Sequence, residues 1–176
     1  THRWIADSSL DFMPRDALTG GLSFVRYWGN REYAIRIRAV GSRIVGKAKA
    51  LRDLQTSAVH YFQRPDADYF HVDSSRTQLS GFGGTLQYGK AGNGKWMYTT
   101  WLTWRSPGLN LNDVGYMRRN DEAMEVIWVG FRQNEPFSIF RNVGLNFNQW
   151  YGFTFEPGTR YYGGNFNGHA TFKNYW

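Results

Sequence analysis

Tyr161-Tyr162-Gly163-Gly164-Asn165-Phe166-Asn167-Gly168-His169-Ala170-Thr171-Phe172-Lys173 is the stretch that decides the fold class. Read in steps of two, one set is Tyr162, Gly164, Phe166, Gly168, Ala170 and Phe172, apolar or small. The other set is Tyr161, Gly163, Asn165, Asn167, His169, Thr171 and Lys173, mostly amide, hydroxyl and small. Successive side chains of a strand point to opposite faces, so this period of two marks a strand with one apolar face.

The same alternation recurs upstream. Phe137–Asn148 sets Phe137, Ile139, Arg141, Val143, Leu145 and Phe147 against Ser138, Phe140, Asn142, Gly144, Asn146 and Asn148. Trp96–Arg105, Phe82–Gly89 and Tyr33–Ala39 behave alike, the last with Arg36 and Arg38 on its polar face. Trp4–Phe12, Leu22–Trp28, Ala58–Gln63 and Glu125–Phe131 are further candidates, which makes about nine strands. Gly29-Asn30 reads as a two-residue hairpin loop and Gly92-Asn93-Gly94 as a second tight turn. Lys47–Gln55 is the exception, with one or two helical turns expected over a loop or barrel end. Long connections fall near 64–76 and 106–121. There is no repeat or Ser/Pro-rich linker, so residues 1–176 read as one unit. The expected fold is all-β: an antiparallel up-and-down sheet forming a transmembrane β-barrel or a segment of a larger one.

Composition separates a membrane barrel from a soluble sandwich. The chain has 18% aromatic residues and 20 Gly, and only five Lys and five Glu. A solvated sandwich face is usually rich in Lys and Glu. Here the polar sets are Asn, Thr, Gly, Gln and Arg, which suits a crowded wet interior. Trp28, Trp96, Tyr98, Trp104 and Trp150 lie near strand ends, where amphipathic rings favour a membrane–water boundary. Arg141 stands against this pattern, because it falls on the apolar face of its strand. It requires a place near the interface or a bulge that flips the register. The net charge of +7 comes mainly from singly scattered Arg, without a nucleic-acid motif, so no nucleic-acid partner is expected. The absence of Cys excludes disulfides and thiolate chemistry. The opening Thr1-His2-Arg3-Trp4, without Met or signal peptide, leads us to expect a processed product or part of something longer.

Three groups of residues carry a family resemblance: Tyr61-Phe62-Gln63-Arg64-Pro65-Asp66; Asp73-Ser74-Ser75-Arg76-Thr77-Gln78-Leu79-Ser80-Gly81; and Trp104-Arg105-Ser106-Pro107-Gly108 followed by Asn112-Asp113-Val114-Gly115-Tyr116-Met117-Arg118-Arg119. In this order they resemble an outer-membrane barrel domain of unknown function that often follows a carbohydrate-binding family 9-like module in Gram-negative bacteria. The resemblance covers roughly residues 40–176. It implies an outer-membrane location and a barrel much larger than this chain, which would then be a fragment of the wall. It brings no catalytic residues.

No catalytic constellation is found. Glu122 and Glu125 are three apart in a strand and face opposite ways. The four His lack zinc-ligand spacing, and no Gly-x-Ser-x-Gly elbow occurs. Asp66, Asp68 and Asp73 are a weak candidate for calcium, lacking the Gly and terminal Glu of an EF-hand loop. No cofactor is expected. Asn112, Asp113, Arg118 and Arg119 form a constriction loop if the connection folds inward, or an ordinary Pro-Gly turn if it does not.

The leading expectation is therefore a barrel-wall segment serving passage or anchoring. Its partners would be the lipid bilayer and the remainder of the barrel or other outer-membrane proteins. Its lumen would be lined by Arg36, Arg38, Gln87, Asn142, Asn146, Asn148, Asn165 and Asn167. Two readings stand beside it: a complete barrel of eight to ten strands, and a soluble carbohydrate-binding sandwich that stacks Trp and Tyr on sugar rings.

Overall fold

The computed structural model describes residues 1–90, 92, 94–156 and 158–174. Asn93 of the second tight turn and the closing Tyr175-Trp176 lie outside them. Seven strands form one antiparallel up-and-down sheet in chain order. They are β1 (Asp16–Trp28), β2 (Tyr33–Val45), β3 (Gln78–Lys90), β4 (Trp96–Arg105), β5 (Glu122–Gln133), β6 (Phe140–Phe153) and β7 (Thr159–Phe172). One helix, α1 (Ala48–Thr56), follows β2.

Several expectations are corrected. Trp4–Phe12 is not a strand: the Asp7 carboxylate accepts from Ser9 N at 2.8 Å and starts a short 3-10 turn. Ala58–Gln63 is a series of turns, in which His60 and Phe62 are buried and Tyr61 and Gln63 exposed, with no strand beside them. The first hairpin loop has four residues, because Trp28 pairs directly with Tyr33. Gly29, Asn30 and Arg31 all have positive φ there, and the Trp28 and Tyr33 rings stack 5.9 Å apart. The sheet is open. β1 and β7 are its edges, so the sheet is not closed into a small barrel, and among the described residues there is no second sheet to make a sandwich.

Register places every strand residue on one of two faces. Ala17, Ile44 and Leu79 stand level across β1–β3 and pack against Ala50 and Leu51 of α1 and against Phe62. We call this the α1 face. Helix α1 forms from good helix formers, with Ala50, Leu51 and Gln55 on its buried side. Burying a Leu such as Leu51 contributes about 1.5–3 kcal/mol. Gln55 tethers the following loop by donating to Asp73 O at 2.9 Å and accepting from Asp73 N at 2.8 Å.

The opposite face is bare. Leu18, Leu22, Phe24, Ile37, Phe147 and Phe166 lie on it, and all are exposed. The chain has 11372 Å² of accessible surface, where a compact monomer of this mass has about 8,900 Å². The excess is the signature of a sheet without a second layer. Charged residues on this face, Asp16, Arg26, Arg43, Lys90 and Glu125, all stand within three positions of a strand end.

The strands are staggered. Followed through six successive pairings, Trp28 at the end of β1 stands level with Phe166, six residues short of the end of β7. That shift is about 20 Å over a sheet width of about 29 Å, a slant of about 35°. Arg141 sits one residue from the start of β6, where the β6–β7 register shifts between Phe140 and Asn142. The two ends of the sheet also differ. Residues 29–32, 91–95 and 134–139 link strands at one end, while 46–77, 106–121 and 154–158 link them at the other.

Candidate functional site

The α1 face is polar away from the helix. Arg36 donates to Gln87 Oε1 at 3.3 Å and to the Tyr27 hydroxyl at 3.2 Å. On β6 and β7 the Asn side chains join across the ladder: Asn146 donates to Asn167 at 2.9 Å and Asn148 to Asn165 at 2.8 Å. Trp128 Nε1 and Arg132 Nη2 both donate to Asn146 Oδ1, at 3.3 and 3.1 Å. Arg38 and Asn142 occupy the same face by register. Register thus puts Arg36, Arg38, Gln87, Asn142, Asn146, Asn148, Asn165 and Asn167 on one face, in two groups separated by β4 and β5. Arg132 belongs with them. The alternation Trp128, Gly130, Arg132 shows it, but the strand read from sequence stops at Phe131.

The two long connections cover this face at one end. Asn110 N donates to Ser42 Oγ at 2.9 Å, and Phe82 N donates to Ser106 Oγ at 2.8 Å. A Cβ on Gly81 would lie 2.0 Å from Leu109 N, so only Gly allows the loop to lie this close. The 106–121 connection thus folds onto the α1 face. Of its residues, Asn112 accepts from Met117 N at 2.7 Å and acts as an internal staple. Asp113 pairs with Arg3. Arg118 and Arg119, with Arg105, Tyr116, Met117 and Glu122, line a cleft of about 680 Å³.

A charged hub that no sequence spacing announced holds the cover in place. Asp121 is buried with φ +49°. It accepts from the Arg64 guanidinium, the Tyr69 hydroxyl and Phe155 N, and Arg160 approaches at 3.5 Å. Burial and then the Asp121 carboxylate push the Tyr69 phenol up, so it stays a donor. Arg64 also lies 5.0 Å over the Phe70 ring. The neighbouring Glu122 accepts from Arg105 at 3.0 Å, Arg119 at 3.1 Å and the Tyr161 hydroxyl at 2.9 Å. Close by, burial pushes the imidazole of His60 down to about 4, against the Leu109 backbone, which favours its protonation.

The bare face carries rings in a row along the short-turn end. Trp28 stacks on Tyr33 and Tyr88, Tyr88 touches Tyr98, Trp96 touches Phe131, and Phe140 touches Phe172, with centroids 5.0–6.0 Å apart. This row touches all seven strands and follows the slanted strand ends. Trp104 lies on the same face toward the other end. Trp150 does not: it is on the α1 face, over Gly163, because register pairs those two residues.

Asp66, Asp68 and Asp73 do not converge. Asp66 pairs with Arg64 at 3.3 Å, Asp68 N reaches Glu156 at 3.4 Å, and Asp73 caps Ser75 N at 2.9 Å. Among the described residues no group of three His, Asp or Glu is placed to hold a metal ion. Glu122 and Glu125 stand on opposite faces.

Residues 46–176, from the end of β2 to the end of the chain, match the family described as "Domain of unknown function (DUF5916)". The chain belongs to the DUF5916 family. The match takes in α1, both long connections and β3–β7, and leaves β1 and β2 outside. It therefore contains the whole Arg64–Asp121 hub and the Asn ladder of this DUF5916 chain. No curated protein and no solved structure matches it.

Proposed function

We propose that this DUF5916 chain is a stretch of wall in a larger bacterial outer-membrane β-barrel. The bare face meets lipid, and the α1 face lines a wet interior narrowed by the two long connections. Its role is passage or anchoring, without chemistry of its own. The observation that carries this reading is the uncovered apolar face running over all seven strands, with Leu22 81% and Phe166 69% exposed. Soluble monomers rarely leave contiguous apolar patches beyond a few hundred Å².

Four features support it. The slant of about 35° agrees with the tilt of strands in transmembrane barrels. A row of aromatic rings borders the apolar face at its short-turn end, where rings would favour a membrane–water boundary. From Tyr162 to Phe172 on β7 is about 33 Å along the strand, or about 27 Å across a membrane at that slant, close to the usual apolar band. Short links at one end and long ones at the other fit periplasmic turns and outer loops. Among the described strand residues on the α1 face, Arg36, Arg38, Arg105 and Arg132 outnumber the one carboxylate of Glu122, so the interior prefers anions.

Single spin-labelled cysteines at positions 145 to 148 of the full-length protein in vesicles test this. Labels at Leu145 and Phe147 should be relaxed by lipid-soluble oxygen, and those at Asn146 and Asn148 by a water-soluble nickel chelate. Equal access of the chelate to both sets would defeat the proposal.

A further inference from the structure

The free edge of β1 is not wholly bare. Thr1 and Ala17 exchange backbone hydrogen bonds, Thr1 N to Ala17 O at 2.6 Å and Ala17 N to Thr1 O at 2.9 Å. Arg3 N donates to Arg15 O at 2.8 Å, and His2 bridges Asp16 in antiparallel fashion. The exchanged pair is the bonding of an antiparallel ladder. It lies on the side of β1 away from β2, and the Arg3 guanidinium pins it by donating to Pro14 O at 3.1 Å and pairing with Asp113.

Alternation carries this bonding pattern along the strand. Ala17 turns its N–H and C=O to the open side, so Thr19, Gly21, Ser23, Val25 and Tyr27 do the same. Direction then discriminates between occupants. β1 and β7 both run from the long-connection end to the short-turn end. Joined edge to edge, within one chain or between two copies, they would be parallel, against every other pairing in the sheet. Thr1–Arg3 runs opposite to β1.

We infer that β1 takes one further antiparallel strand, formed by the residues immediately N-terminal to Thr1 in the intact protein, in the register that Thr1 and Ala17 set. The first, third and fifth residues before Thr1 then stand opposite Leu18, Gly20 and Leu22 on the bare face. The second and fourth stand opposite Thr19 and Gly21 on the α1 face. This deepens the wall reading by saying which strand comes next, although the pairing itself does not require a membrane.

Paired cysteines in the full-length protein, otherwise free of cysteine, test the register. Leu22→Cys is combined with a cysteine at the fifth residue before Thr1, or with one at the fourth. Oxidation should cross-link the fifth-residue pair within one chain and leave the fourth, which points to the other face. No cross-link at the fifth, equal cross-linking at both, or a cross-link between two copies would overturn the inference. The natural sequence before Thr1 checks it without a folded variant: the first, third and fifth residues should be apolar, and an alternation of opposite phase contradicts it. A fifth-residue cross-link in a protein recovered without detergent keeps the pairing and removes the wall, so the two failures are told apart.

Discussion

Arg64 and Asp121, 57 residues apart in the chain, meet as an ion pair closed to solvent, with side chains 7% and 1% exposed. The pair joins the two long connections, and Asp121 also takes the hydroxyl of Tyr69 and the amide of Phe155 from the β6–β7 loop. One carboxylate thus ties three loops over one end of the sheet.

Removing one partner of a buried pair leaves the other charge uncompensated, at a cost of about 3–5 kcal/mol. Asp121→Asn keeps a residue that tolerates the positive φ at this position, so it isolates the charge. Limited proteolysis should cut 46–77 and 106–121 in the variant while the strands stay protected. Loops as resistant as in the wild type would contradict the role assigned to the pair.

His60 gives the cover a pH dependence with a definite sign. The unfolded chain takes up a proton near pH 6.5, the folded one only near about 4. Stability therefore falls as pH drops through that window, by about 3 kcal/mol in all. From pH 7 to pH 4 the wild type should lose loop protection relative to His60→Gln. A constant difference would show that His60 does not titrate in this way.

Gly81→Ala puts a methyl group where the Leu109 backbone lies. The 106–121 connection must lift, at a cost of about 1–3 kcal/mol. Conductance of the reconstituted full-length protein should rise if this connection narrows the path, and should not change if the connection lies outside it.

The two faces should answer oppositely to charge. Phe147→Arg, in the middle of the bare face, should cost about 2–4 kcal/mol if that face meets hydrocarbon. Asn148→Arg, one residue on, should cost under about 1 kcal/mol, the worth of one exposed amide hydrogen bond. Urea unfolding of the protein in vesicles measures both, and equal costs would speak for water on both sides.

Arg36 and Arg38 should set the ion preference of the interior. Replacing both with Gln should move the reversal potential of the full-length channel in a salt gradient toward cations. An unchanged potential would remove these residues from the path.

The strands were legible where alternation is long, as from Tyr161 to Phe172, because one face is apolar and the other carries hydrogen-bonding groups that cross the ladder. Alternation alone leaves β1 six residues short, at Leu22 rather than Asp16. Asp16, Thr19 and Gly20-Gly21 look like loop when their pairing with β2 is not known. Ala58–Gln63 shows the opposite error: its alternation is real as burial of His60 and Phe62, but a ladder needs a neighbour, and none stands there. The hub was not legible, because Arg64, Tyr69, Asp121 and Phe155 come together only through the folding of three loops. The nearness of Trp150 to a strand end does not give its face, which only register reveals.

Fractionation of the native full-length protein, with its band followed on SDS gels before and after boiling, decides whether this sheet is part of a membrane wall. A membrane wall predicts recovery in the outer membrane, release only by detergent, and a shift in migration on boiling. Recovery as a detergent-free soluble monomer, migrating alike in both conditions, would contradict it.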